Sequence, residues 1–141
     1  MTDNLAALER LTERLTGYTP GLVLVVDDDA ATRQTLCDVL EKDRWNCLEA
    51  ETGERGVELA REHHPAVVLI DLRLPGIQGL EVAKRIAEVS PASWRIMITG
   101  YATVEKLRES VRLHVYGFFR KPVEMNELLT TLARRKIDAR Q

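Results

Sequence analysis

Four short stretches of this 141-residue chain place polar residues where apolar runs end. Asp27-Asp28-Asp29 follows the run Leu22 to Val26, and Asp71 follows Ala66 to Ile70. Thr99-Gly100 closes Trp94 to Ile98, and Lys121-Pro122 comes just after Tyr116 to Phe119. Brought together, these would supply two or three carboxylates, a hydroxyl and an ammonium. Clustered carboxylates repel unless positive charge sits among them. Lys121 supplies one charge, and a hard divalent cation such as Mg²⁺, bound through carboxylate and water oxygens, would supply the rest. A partly hydrated Mg²⁺ beside a lysine and a hydroxyl is suited to holding a phosphoryl group. Each residue also has a plain structural explanation. Acids ahead of a helix cap free N–H groups and suit its macrodipole, which is the preferred account of Asp29 but leaves Asp27 and Asp28 over. Asp71 could be a loop residue before the Pro75-Gly76 turn, Thr99 a strand end, and Lys121 a solvated charge. Four coincidences at four strand ends are poorly explained one at a time.

The elements that must position these residues alternate along the chain. Leu22 to Val26 and Ala66 to Ile70 are continuous, β-branched-rich runs of the kind found in strands buried on both faces. Asn46 to Glu49 is a weaker strand, and Trp94 to Ile98 and Tyr116 to Phe119 complete five. Helical spacing runs over Ala30 to Lys42, Gly53 to His63, Leu80 to Val89, Thr103 to Arg112, and Glu124 to about Lys136. This alternation predicts a doubly wound α/β fold, a five-stranded parallel sheet with helices on both faces and right-handed crossovers. The carboxyl ends of all strands then share one edge, where such sheets bind ligands. Asn4 to Thr16 predicts an extra N-terminal helix, with Leu5, Leu8, Leu11 and Leu15 in a stripe and Gly17 as its stop. Gly17 to Gly21, with Pro20 inside, reads as a hinge. The division is therefore residues 1–20, helix and hinge, and residues 21–141, the main domain. The leucine stripe must pack somewhere, either on its own domain or, since Leu8, Leu11 and Leu15 have a, d, a spacing, in a short coiled coil with a partner or second copy.

Composition narrows the function. With 20 Lys+Arg against 22 Asp+Glu the net charge is −2, which offers no basic footprint for direct nucleic-acid binding. No apolar run reaches the ~20 residues of a membrane span, and the N-terminus lacks the apolar segment of a signal peptide. A cytoplasmic protein without membrane insertion is expected. Cys37 and Cys47 are expected to be small buried hydrophobes in a reducing compartment, not a disulfide or metal pair. His63, His64 and His114 fit no metal-ligand spacing and are expected at the surface.

The segments VLVVDDD (Val23 to Asp29), VVLIDLRLPGIQGLE (Val67 to Glu81), IMITGYAT (Ile96 to Thr103) and FFRKPV (Phe118 to Val123) together resemble the response-regulator receiver domain of two-component signalling. The resemblance covers residues 21 to about 136 in the correct order. It implies strand order 2-1-3-4-5 and a cis Lys121-Pro122 bond. It makes Asp71 the phospho-acceptor, with Asp27, Asp28, Asp71 and the backbone carbonyl of Arg73 binding Mg²⁺. It makes Thr99 and Lys121 the contacts for the phosphoryl oxygens, and Thr99 and Phe118 a switch pair acting on the surface of the 103–112 helix, the last strand and the closing helix. Phe118 could equally be a plain core aromatic. The donor would be a sensor histidine kinase or a histidine phosphotransfer protein, and the output a downstream protein target. Homodimers through the N-terminal helix or the switch surface are a further expectation. Such a protein at most catalyses its own phosphorylation and dephosphorylation.

Departures and rivals follow from the same residues. Gln78 stands where the family often has an acid, and His114-Val115-Tyr116-Gly117 replaces a more common glycine-and-alanine approach to the last strand. Arg73 and Tyr101, each two positions after a key residue, would shield an aspartyl-phosphate from water. A phosphohydrolase using an aspartate nucleophile typically carries a second acid where Arg73 stands. A flavodoxin-like nucleotide binder would want glycines where this chain has acids. A degenerate receiver acting as a scaffold would have lost part of the Asp27, Asp28, Asp71, Thr99 and Lys121 set.

Overall fold

The two strong apolar runs form the centre of a parallel sheet in the computed structural model of the chain, which describes residues 2–100, 103, 105, 108, 109, 112 and 115–138. The strands are β1 (Thr19–Val26), β2 (Asn46–Ala50), β3 (Pro65–Asp71), β4 (Trp94–Thr99) and β5 (Gly117–Arg120). Their spatial order is β2-β1-β3-β4-β5, all parallel, as the resemblance implied. Around them lie α1 (Thr2–Thr16), α2 (Ala30–Lys42), α3 (Gly53–His63), α4 (Gly79–Val89) and α5 (Met125–Asp138). Most of the helix expected over residues 103–112 lies outside the described residues, as do Tyr101 and His114.

Side chains alternate across each strand, so the sheet builds two cores. Leu24, Val26, Val68, Ile70 and Met97 point to one face, where α3 and α4 cover them with Val57, Ala60, Val82 and Ile86. Val23, Val25, Val67, Leu69, Ile96 and Ile98 point to the other, under Leu36 and Leu40 of α2 and Leu128 and Leu132 of α5. Every residue of β3 is buried, which holds Asp71 at its end rigidly in place.

The expected hinge is tighter than its Gly and Pro content suggested. Thr19 and Pro20 belong to β1, with Thr19 paired to Pro65, and Gly21 (φ +74) falls where the register then shifts. Gly17 (φ +80) ends α1 as expected, its amide donating to the Glu13 carbonyl, and packs against Ala92. Tyr18 is buried beneath the sheet, where the Arg135 guanidinium of α5 lies 3.5 Å from its ring centroid and 5.0 Å from that of Trp94. Arg135 also donates to the carbonyls of Ala66 and Ala92. The leucine stripe does not dock on its own domain: Leu5, Leu8, Leu11 and Leu15 are 48–78% exposed.

One expectation is corrected. Cys37 and Cys47 form a disulfide, with Cα atoms 5.9 Å apart, within the range a bridge needs. The chain reverses between α2 and β2, so the inner face of the helix comes to rest against the strand that follows it. Composition could not show that contact.

Gly79 links fold to site. Its amide donates to the Leu72 carbonyl at 3.0 Å, and a Cβ there would lie 2.7 Å from Leu72 Cα and overlap the Asp71 carbonyl oxygen. Because backbone would have to move, Gly79→Ala is expected to cost about 2 kcal/mol or more, read as a lower melting temperature by calorimetry.

Candidate functional site

The parallel sheet puts the ends of β1, β3, β4 and β5 on one edge, and the side chains that follow them meet there. Lys121 comes from the loop after β5, two strands away from β3 and so roughly 10 Å across the sheet. Its long stem spans that gap. Nζ donates to Asp27 Oδ2 at 2.9 Å and to Asp71 Oδ2 at 3.1 Å. The Lys121 amide donates to the Thr99 carbonyl at 2.8 Å, which fixes the root of the side chain. The Lys121-Pro122 bond is cis.

Backbone amides steady the other carboxylate oxygens. The Asp29 amide donates to Asp27 Oδ1 at 2.9 Å, and the Arg73 amide to Asp71 Oδ1 at 3.2 Å. Asp27 and Asp71 are buried, and so is Thr99, whereas Asp28 is exposed. Ligand oxygens of Asp27, Asp28 and Asp71 all lie within 4.8 Å of one another. This is an all-oxygen donor set with one solvent-facing member, which fits a hard, partly hydrated divalent cation.

Burial pushes the Asp71 carboxyl above the ordinary carboxylate range; the Asp27 charge adds to this, and Lys121 opposes it. For Lys121 burial works toward a lower pKa, but hydrogen bonds and charge from Asp27 and Asp71 prevail and hold the ammonium above its usual value. Asp29 stands at the N-cap position of α2, as expected, but without the capping hydrogen bond expected of it. Its carboxylate accepts from the Thr32 hydroxyl at 2.6 Å, which first among its contacts lowers its pKa, and makes no side-chain hydrogen bond to a helix amide.

One participant escaped the sequence reading. Arg33 NH1 donates to the Asp27 carbonyl at 2.7 Å while Nε pairs with Glu49 Oε1 at 3.2 Å. The available signal was a basic residue one turn into a helix, against the macrodipole, in a helix with no acid in its first turn. Phe118 is half-buried in β5, in register with Met97, and packs on the core under α3 and α4. His63 and His64 sit at the end of α3 on the opposite edge. His63 is exposed, but His64 is half-buried, with Nδ1 3.2 Å from Ser90 Oγ.

Residues 23–133 match the response regulator receiver domain family. The chain belongs to that family. Among curated relatives it is 36% identical over 107 residues to a cyclic di-GMP phosphodiesterase of Thermotoga maritima, covering 76% of this chain but only 28% of that enzyme. It is 30% identical over 111 residues to chemotaxis protein CheY of Halobacterium salinarum, covering 79% of this chain and 92% of that one. Among solved structures, a CheY-like receiver domain protein of Methanospirillum hungatei superposes with a TM-score of 0.80 at 26% identity, covering 84% of this chain and 95% of that one. The receiver thus carries an acidic pocket of Asp27, Asp28 and Asp71 of the type associated with a metal site. None of the helices among the described residues is long and apolar enough to cross a membrane.

The raised Asp71 pKa has a sign that can be tested. Ionising Asp71 costs the folded state stability above the unfolded value near 3.8, and that cost vanishes as pH falls below it. In EDTA, Asp71→Asn is expected to melt several degrees above wild type at pH 7, the gap closing toward pH 4. A gap that is absent or widens on acidification contradicts this, and calorimetry across pH measures it.

Proposed function

We propose that this receiver is a phosphorylation-switched signalling protein in which Asp71 accepts a phosphoryl group from a sensor histidine kinase or a histidine phosphotransfer protein. The observation that carries the proposal is the single ammonium of Lys121 held between Asp27 and Asp71, with Asp28 alongside. An Asp71 carboxylate oxygen attacks phosphorus, the P–N bond of the donor breaks, and the imidazole leaves. Phosphoryl transfer asks the protein mainly for positioning and charge neutralisation. Lys121 and the Arg73 amide, already on Asp71, hold the carboxylate and stand beside the oxygens it would acquire. Mg²⁺ would be held by Asp27, Asp28, Asp71 and the Arg73 backbone carbonyl, and supplies the remaining positive charge. Thr99, at the end of β4, contacts the incoming oxygens, and Phe118 repacks with it, altering the surface that a downstream protein target reads. The phosphate acts through its different contacts in the two states.

A groove of about 510 Å³ beside the site supports a protein donor, since Thr32, Thr35, Leu36, Pro122, Val123 and Met125 line it next to Lys121. The protein works in the cytoplasm, with residues 21–141 and the start of β1 at Thr19 as its receiver unit, and at most catalyses its own phosphorylation and dephosphorylation. Incubation with acetyl phosphate and Mg²⁺ is expected to add one phosphoryl increment to the intact mass. The increment should be absent with EDTA and in Asp71→Asn, and at least tenfold slower to form in Lys121→Ala. An increment that survives in Asp71→Asn overturns the assignment.

The exposed leucines of α1 favour a second element of the proposal, a homodimer formed through residues 1–20. Light scattering is expected to give twice the chain mass for wild type and a single chain mass for the double variant Leu8→Glu, Leu11→Glu. A monomeric wild type at concentrations of tens of micromolar removes this element.

A further inference from the structure

The α2–β2 seam carries two cross-links in line. Arg33 and Cys37 are one turn apart on α2, and Glu49 and Cys47 are two residues apart on β2, so each pair shares a face of its element. The first cross-link is the Arg33–Glu49 ion pair, whose arginine also holds the Asp27 carbonyl. The second is the Cys37–Cys47 bridge. On the strand side, the Asp27 amide donates to the Ala50 carbonyl at 3.1 Å, three residues beyond Cys47. The acidic loop therefore hangs from the same seam that the cysteines close.

We propose that Cys37 and Cys47 form a reversible thiol–disulfide site that sets how firmly α2 and the Asp27–Asp29 loop are held against β2. The two sulfurs differ in access. Cys37 is 4% exposed within the core, whereas Cys47 is half-buried on the edge strand of the sheet. Cys47 is thus the entry thiol and Cys37 the resolving one. With oxidised glutathione as the oxidant, the Cys47 thiolate attacks one of its sulfurs, giving a mixed disulfide and releasing one glutathione thiol. The Cys37 thiolate then attacks the Cys47 sulfur and expels the second. The two protein thiols lose two protons and two electrons, and the glutathione disulfide is reduced to two thiols. In the reduced chain the ion pair, with its Glu49 side chain 45% exposed, is left as the seam's side-chain cross-link. The bridged chain closes a loop over a separation of 10 residues and restricts the unfolded ensemble.

The test compares the full chain equilibrated with excess oxidised glutathione against the same chain in dithiothreitol, both metal-free. The oxidised form is expected to be two mass units lighter, to show no titratable thiol, and to melt about 5 °C or more higher. Amide exchange over residues 27–40 is expected to slow about tenfold on oxidation, with β3 unchanged. Cys47→Ser, at the less buried position, should abolish the redox dependence of every readout. Two titratable thiols in excess oxidised glutathione, or equal exchange over residues 27–40 in both states, overturns the proposal. None of these readouts uses phosphorylation, so failure of the receiver chemistry and failure of the redox site appear separately.

Discussion

One ammonium bridging two buried carboxylates is the interaction on which the site depends. Asp27 and Asp71 end neighbouring strands, and their side chains would repel across the β1–β3 boundary without a positive charge between them. Lys121 reaches both although its strand is the far edge of the sheet, because its long stem starts from a backbone tied to Thr99. The order of the strands is thus part of the electrostatics. With β4 lying between, a cationic side chain much shorter than lysine would fall short and leave two buried acids uncompensated.

Strand types, the acidic edge and the parallel sheet were legible because each has a local cause, whereas the strand order came from the family resemblance. Continuous β-branched runs can be buried on both faces, and polar residues at their ends face the only edge left open. Asp29 as helix cap and Gly17 as helix stop were legible for the same reason. The contacts that escaped were those made between elements. Nothing near Cys37 announces Cys47, because their meeting depends on how α2 folds back over the sheet. Arg33 reads as a surface charge until its helix is docked and its guanidinium meets the Asp27 carbonyl. Thr19 and Pro20 read as hinge because Pro and Gly dominate that stretch, yet Thr19 finds a pairing partner in Pro65. The leucine stripe was legible as a stripe, but only the docked fold shows that it faces away from its own domain.

The two faces of the sheet carry different duties. On one, α3 and α4 pack tightly, and Gly79 lets the start of α4 approach the backbone of Asp71 and Leu72. That closeness fixes the strand end that carries Asp71 from behind. On the other, among the described residues, α2 starts from the acidic loop and α5 follows the lysine loop, so each is rooted in the site itself. The site is therefore joined to both faces, through α2 and α5 on one and through α4 and Phe118 on the other.

Arg135 gives α5 a fixed foot. The helix begins beside the lysine loop and runs about 15 Å toward the opposite edge before its arginine lies over Tyr18 and holds the Ala66 and Ala92 carbonyls. Tyr18 directly follows Gly17, the stop of α1. Sliding α5 along its axis would tear the guanidinium from both carbonyls at once, and swinging its near end outward would pull Leu128 and Leu132 from the core. The helix is therefore pinned at both ends, with its far pin set against the base of the N-terminal helix.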